Sequence, residues 1–152
     1  MFDNILVPVD GSGHAKRAVQ VAANLAAKFG ANLTLLHVMP RAGSHRIPTD
    51  LEEFARAEHL SVNEADILQS VASAIVERAK VQAQSEGAKN TQTAIEVGDA
   101  ATRIIEYCDG HGVDTIVMGR RGLSDLAGLF IGSVTHKVSQ STKLTCITVG
   151  AD

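Results

Sequence analysis

Five short apolar runs recur along the chain, at residues 4–9, 32–39, 91–98, 113–119 and 144–150, with stretches of helical periodicity between them. This alternation constrains the fold more than any other feature. The first run, "NILVPV", has strand length, β-branched residues and unbroken apolarity, which suits a strand buried on both faces. "DGSG" breaks it. The following "HAKRAVQVAANLAAKFG" places Ala15, Ala18, Val19, Ala22, Leu25, Ala26 and Phe29 at helical spacing, and Gly30 reads as the stop. "NLTLLHVM" is the second strand, ended by Pro40. Strands alternating in this way with helices predict a parallel sheet covered on both faces, the doubly wound α/β class.

The rest of the chain keeps the same rhythm. Residues 40–48 read as a loop, followed by a helical segment from about Asp50 to Glu86 with a candidate break near Asn63 and a stop at Gly87. Leu51, Phe54, Ala55, Leu68, Val71, Ala72, Ile75, Val76 and Ala79 give that segment the pattern of an amphipathic core helix. A shorter helix opens at Asp99, in keeping with the helix dipole, and a last one is expected over 133–141. At 152 residues, the expectation is one domain spanning 1–152, long enough for a full core.

Composition excludes several classes of partner. A formal net charge of −3 gives no reason to expect nucleic acid or an acidic membrane surface. With 3% aromatics and no Trp, stacking platforms for single strands are also unexpected. Cys108 and Cys146 are far apart in sequence and form no C-x-x-C, so they read as inert thiols of a reduced compartment. The amino-terminal segment has no basic leader pattern and no run approaches membrane-span length, so a soluble, cytoplasmic protein is expected. The six histidines show no metal-ligand spacing, and His37 reads as a packed residue with a satisfied nitrogen.

In doubly wound folds ligands sit beyond the carboxyl ends of strands, which directs attention to Asp10, Val38 to Met39, Gly98 to Asp99 and Met118 to Gly122. Two nucleotide motifs fail there. "GSGHAK" has Lys16 where a dinucleotide fingerprint needs its third glycine, and no acidic residue ends the second strand. No Gly-Lys dipeptide exists to build a P-loop. What remains is "MGRRGLSDLAGLFIGSVTHKV", with glycines at 119, 122, 128 and 132 and the spacing G-x2-G-x9-G-S. Gly119 and Gly122 allow positive φ and close approach of backbone N–H groups to phosphate. Gly132 and Ser133 open a helix whose first N–H groups have no intrahelical partner. Ser133 and Thr135 add hydroxyls, and Arg120 and Arg121 add charge, although a solvated surface position is an equal reading for Arg120.

These segments resemble the nucleotide-binding members of the universal stress protein family: "ILVPVDGS", "LLHV", "VMGRRG" and "GSVTHKV" all match at corresponding strand ends. The resemblance covers essentially the whole chain. It implies a five-stranded parallel sheet of order 3-2-1-4-5. Pro8, Val9 and Asp10 would line the adenosine end, with Asp10 near the ribose or a bound Mg, and the Val38 backbone would read the adenine edge. Beyond Met118, the residues Gly119, Arg121, Gly122, Gly132, Ser133, Val134 and Thr135 would cradle the phosphates of ATP. As alternatives, Asp10 is a cap or turn residue and Ser12 caps the first helix. The last strand departs from the family pattern, with Thr145 and Cys146 where members often place Pro.

The function expected on this basis is a regulatory homodimer that holds ATP, paired through its fifth strand, without efficient catalysis. Asp125 and His136 are the only plausible bases beside the loop. The alternative is a slow ATPase or an adenylate-transferring enzyme on the same fold. Such transferases resemble this chain in their sheet but show a Ser-Gly-Gly-x-Asp-Ser loop after strand one, where "DGSGHA" stands here.

Overall fold

Each apolar run forms a strand and each periodic stretch a helix within the residues that the computed structural model describes, 1–43, 57, 63–122 and 131–150. In order these are β1 (Asn4–Pro8), α1 (Gly13–Phe29), β2 (Asn32–Met39), α2 (Glu64–Ser85), β3 (Thr91–Val97), α3 (Ala100–His111), β4 (Thr115–Gly119), α4 (Ser133–Ser141) and β5 (Thr145–Val149). The expected helix from Asp50, with Leu51, Phe54 and Ala55, lies outside the described residues up to Asn63, apart from residue 57. Asn63 is the N-cap of α2 and its side chain accepts from the Ala65 N–H, so the candidate break is the start of a helix.

All strand pairs are parallel and the order is β3-β2-β1-β4-β5. Alternation along the strands then sorts the core into two layers. Ile5, Val7, Leu33, Leu35 and Val117 face α1 and α2, where Ala18, Ala22, Ala26, Val76 and Ala83 meet them. Leu6, Leu36, Ile116 and Met118 face α3 and α4, against Ala101, Ile104, Cys108 and Val138. The alanine-rich face of α1 lets the helix sit close to the sheet, and each fully buried Leu, Ile or Val adds about 1.5–3 kcal/mol. Ser12 caps α1 by accepting from the Ala15 N–H, and Gly30 ends it in the left-handed conformation at φ 73°.

Two positions expected in the core are outside it. Phe29 is 53% exposed and stacks on Phe2 at 5.2 Å instead. Val71 is 51% exposed, while Ala72, Val76, Ala79 and Ala83 form the buried stripe of α2. Cys108 is a buried core thiol and Cys146 packs half-buried against the same layer; burial pushes Cys108 up to about 12 and raises Cys146, so neither thiolate forms near neutrality. Among the described residues no helix is long and apolar enough to cross a membrane.

Candidate functional site

The chain leaves β1 toward β2 and β3 on one side and returns to β4 on the other, so strand order reverses between β1 and β4. A crevice opens at the carboxyl ends of strands at such a point. β1 closes with Pro8, after which the buried Val9 still donates to the Leu36 carbonyl at 2.8 Å. The backbone then turns. Asp10 Oδ1 accepts from the Ser12 N–H at 2.9 Å, and Gly11 takes φ 83°. Asp10 is therefore a turn residue, as one sequence reading had it, and it also lines the cleft.

At the end of β4, Gly119 is required for a different reason from the one expected. Its φ lies outside the left-handed region, and a Cβ there would come within 2.8 Å of the His14 carbonyl carbon and Cβ. Close approach to the first turn of α1, not positive φ, excludes a side chain. From this point the backbone laces the strand end to α4. Arg120 N donates to Val149 O and Gly132 N to Arg120 O, both at 2.7 Å. Thr135, buried, donates its hydroxyl proton to Gly119 O at 2.8 Å and so presents its remaining surface to the cleft.

The start of α4 differs from the other described helices. Ser12, Asn63 and Asp99 cap α1, α2 and α3 with side chains, whereas Gly132 caps α4 with no side-chain hydrogen bond. The first intrahelical bond there runs from His136 N to Gly132 O, so the N–H groups of Ser133, Val134 and Thr135 precede the ladder. Such donors, with the helix dipole behind them, suit an anion.

On the other wall, β2 outruns β1. Leu36 O accepts from Val9, and Met39 O accepts from Gly98 N at 3.0 Å. Backbone groups alternate between neighbours along a parallel strand, so Val38 turns its N–H and C=O toward the β1 side, beyond the final Pro8–Leu36 pair. The backbone of Val38 thus offers a donor and an acceptor side by side at the cleft wall.

The cleft has a volume of about 460 Å³, inside the roughly 300–1,000 Å³ span of small-molecule sites. Pro8, Val9, Asp10, Val38, Met118, Gly119, Arg121, Gly122, Val134 and Thr135 line it. Arg120, Gly132 and Ser133 do not. The Arg120 guanidinium lies against Gly150, just past the end of β5. Gly132 is buried and Ser133 exposed at the head of α4. Ser124, Asp125 and Gly128 lie outside the described residues.

Ala15, Leu36, His37, Pro40, Gly98, Ala100 and Ile104 complete the lining and escaped assignment from sequence. Ala15, Leu36 and Ile104 carry the same apolar pattern as the core, so nothing local sets them apart. Gly98 follows β3 directly; its φ of 141° and the Arg103 side chain 3.0 Å from where a Cβ would stand explain the glycine. Asp99 beside it caps α3 and reaches Lys137 Nζ at 3.1 Å. Bonds from the Thr102 hydroxyl and N–H, then Lys137, hold its carboxyl at about 2. It is an anchor between α3 and α4.

Known proteins share this arrangement. The model of the Usp, or universal stress protein, family matches residues 1–150. Universal stress protein YxiE of Bacillus subtilis is 33% identical over 143 residues, covering 92% of this chain and 93% of its own. Among solved structures, hypothetical protein MJ0577 matches with a TM-score of 0.78 at 26% identity, over 100% of this chain and 98% of that one. A universal stress protein in complex with cAMP has the same fold, with a TM-score of 0.68 at 24% identity over 99% of this chain and 98% of that one. With the five-stranded order 3-2-1-4-5 observed and the match extending along nearly its whole length, this chain belongs to the universal stress protein family.

Proposed function

We propose that the chain is a cytoplasmic regulatory protein that binds an adenine nucleotide, ATP with Mg²⁺, in this cleft. One observation carries the reading: the cleft has a base-sized wall with a donor and an acceptor on the Val38 backbone, and an uncapped helix start across from it. The adenine edge lies on Val38, and Pro8, Val9 and Met118 pack against the nucleoside. The phosphates run past Gly119 and Gly122 toward the N–H groups of Ser133, Val134 and Thr135, with Arg121 at the cleft lining beside them. The cAMP complex of a protein of the same fold supports an adenine ligand.

Among the described residues no group of three or more His, Cys, Asp or Glu is gathered to hold a metal. Mg²⁺ keeps its waters and binds through substrate phosphates and one carboxylate, here Asp10. The metal would screen the phosphate charge. The alternative of an ATPase or adenylate-transferring enzyme draws less support. His136 is exposed on α4 and outside the cleft lining.

Gly122→Val tests the reading. A branched Cβ restricts the backbone and obstructs the phosphate path, so ATP binding by calorimetry is expected to vanish while the thermal melt persists. Unchanged ATP affinity in the folded variant would place the phosphates elsewhere and remove the proposal.

A further inference from the structure

The open backbone of Val38 depends on a rung the sheet does not make. After Val9 N to Leu36 O, a continued parallel ladder would next join Val38 N to Val9 O. Pairing instead stops at Pro8–Leu36, and Val9 O receives the His37 ring, with Nδ1 at 2.7 Å. A carbonyl only accepts, so Nδ1 carries the proton and donates. Val9 is buried, which leaves little water to compete with the ring for its carbonyl, whereas Val38 is half-buried and lines the cleft.

We propose that His37 is a specificity-determining positioning residue: its imidazole keeps the Val9 carbonyl out of the ladder and leaves Val38 N–H and C=O together for the edge of a bound base. Without a donor from residue 37, Val9 O and Val38 N are the next partners in register. The buried Val9 carbonyl, left without the ring, takes the Val38 N–H beside it as its partner. Their bond would extend β1–β2 by one rung and remove the donor from the cleft wall. The acceptor would remain alone. Adenine, with acceptor N1 beside its amino donor, then loses its complement. Hypoxanthine, which presents N1–H and O6 in the reverse sense, is no longer disfavoured.

The inference rests on the nucleotide reading for its ligand, yet half of its test needs no ligand. In the full chain, compare the wild type with His37→Phe, which keeps a ring but no donor, and His37→Asn, which keeps a donor near the place of Nδ1. His37→Leu replaces the Phe variant should that one fail to fold. Amide exchange followed by NMR without nucleotide is expected to be fast at Val38 in the wild type and in His37→Asn. It should slow by about tenfold or more in His37→Phe as the new rung forms. ATP should be preferred to ITP by the wild type and His37→Asn, and that preference should largely disappear in His37→Phe. Equal Val38 exchange in all three proteins, or an undiminished preference for ATP in His37→Phe, overturns the proposal. Absence of any nucleotide binding by the wild type would instead defeat the cleft reading, and the exchange rates would still decide the role of His37.

Discussion

A Cβ on residue 119 would also stand 3.0 Å from the Ala15 nitrogen, so β4 and α1 meet here backbone to backbone. Overpacking of that kind costs about 1–3 kcal/mol. Gly119→Ala is therefore expected to lower the unfolding free energy by an amount in that range, read as a lower denaturant midpoint at unchanged m, because backbone cannot yield as a flexible side chain does. A midpoint equal to wild type would mean that α1 shifts freely. Asp10 is a second residue with two demands on it. Its Oδ1 holds the turn through Ser12 N, and its carboxylate faces the proposed metal. Asp10→Ala should weaken Mg-ATP more than metal-free ATP, since a carboxylate gains from a hard cation but repels bare phosphate. Calorimetry with and without magnesium checks this, and equal losses would leave Asp10 as a turn residue or ribose contact alone.

Among the elements, α3 and α4 are coupled through one carboxylate. Asp99 caps α3 on Thr102 and reaches across to Lys137 of α4, and these bonds hold it at about 2 against an ordinary 3.8. A depressed acid stabilises the folded state above its unfolded pKa, and this contribution is lost as pH falls through 3.8 toward about 2. Asp99→Ala should cost about 1 kcal/mol at neutral pH through the lost cap, and less at low pH, where the wild type has lost the same bonds. Melting temperatures of both proteins between neutrality and acid should converge. Some acid sensitivity will persist, because Asp114 is also lowered: its bonds to Thr115 and to the N–H groups of Asn4, Asp3 and Phe2 outweigh its desolvation. Curves that stay parallel down to acid would show that the carboxylate charge of Asp99 contributes nothing.

For the whole molecule, the order β3-β2-β1-β4-β5 leaves β5 paired on one side only. Its residues Thr145–Val149 have four of five positions half-buried within one chain, and an open apolar edge of this kind is ordinarily covered. A homodimer is expected in which β5 meets the same strand of a second copy across a two-fold axis. Light scattering at micromolar concentration should give twice the chain mass of 16.0 kDa. A monomer there, or a dimer that survives a Pro placed in β5, would rule out this edge as the interface.

Periodicity and punctuation are local properties, and they were readable from the chain alone. The run from Asn4, the alanine face of α1, the Ser12 cap and the Gly30 stop each follow from neighbours within a few residues, and with them came the α/β class. The glycine-rich approach to α4 was legible for the same reason. What packing decided is everything that joins residues distant in sequence. Gly119 is needed because α1 passes against it, Arg120 reaches Gly150 just past β5, and Phe29 meets the distant Phe2 outside the core. The Val38 backbone is open only because β1 ends before β2 does and because His37 takes the Val9 carbonyl. A residue's own chemistry sets its helix or strand preference, but which groups remain unpaired depends on where neighbouring strands stop, and that is a property of the assembled sheet.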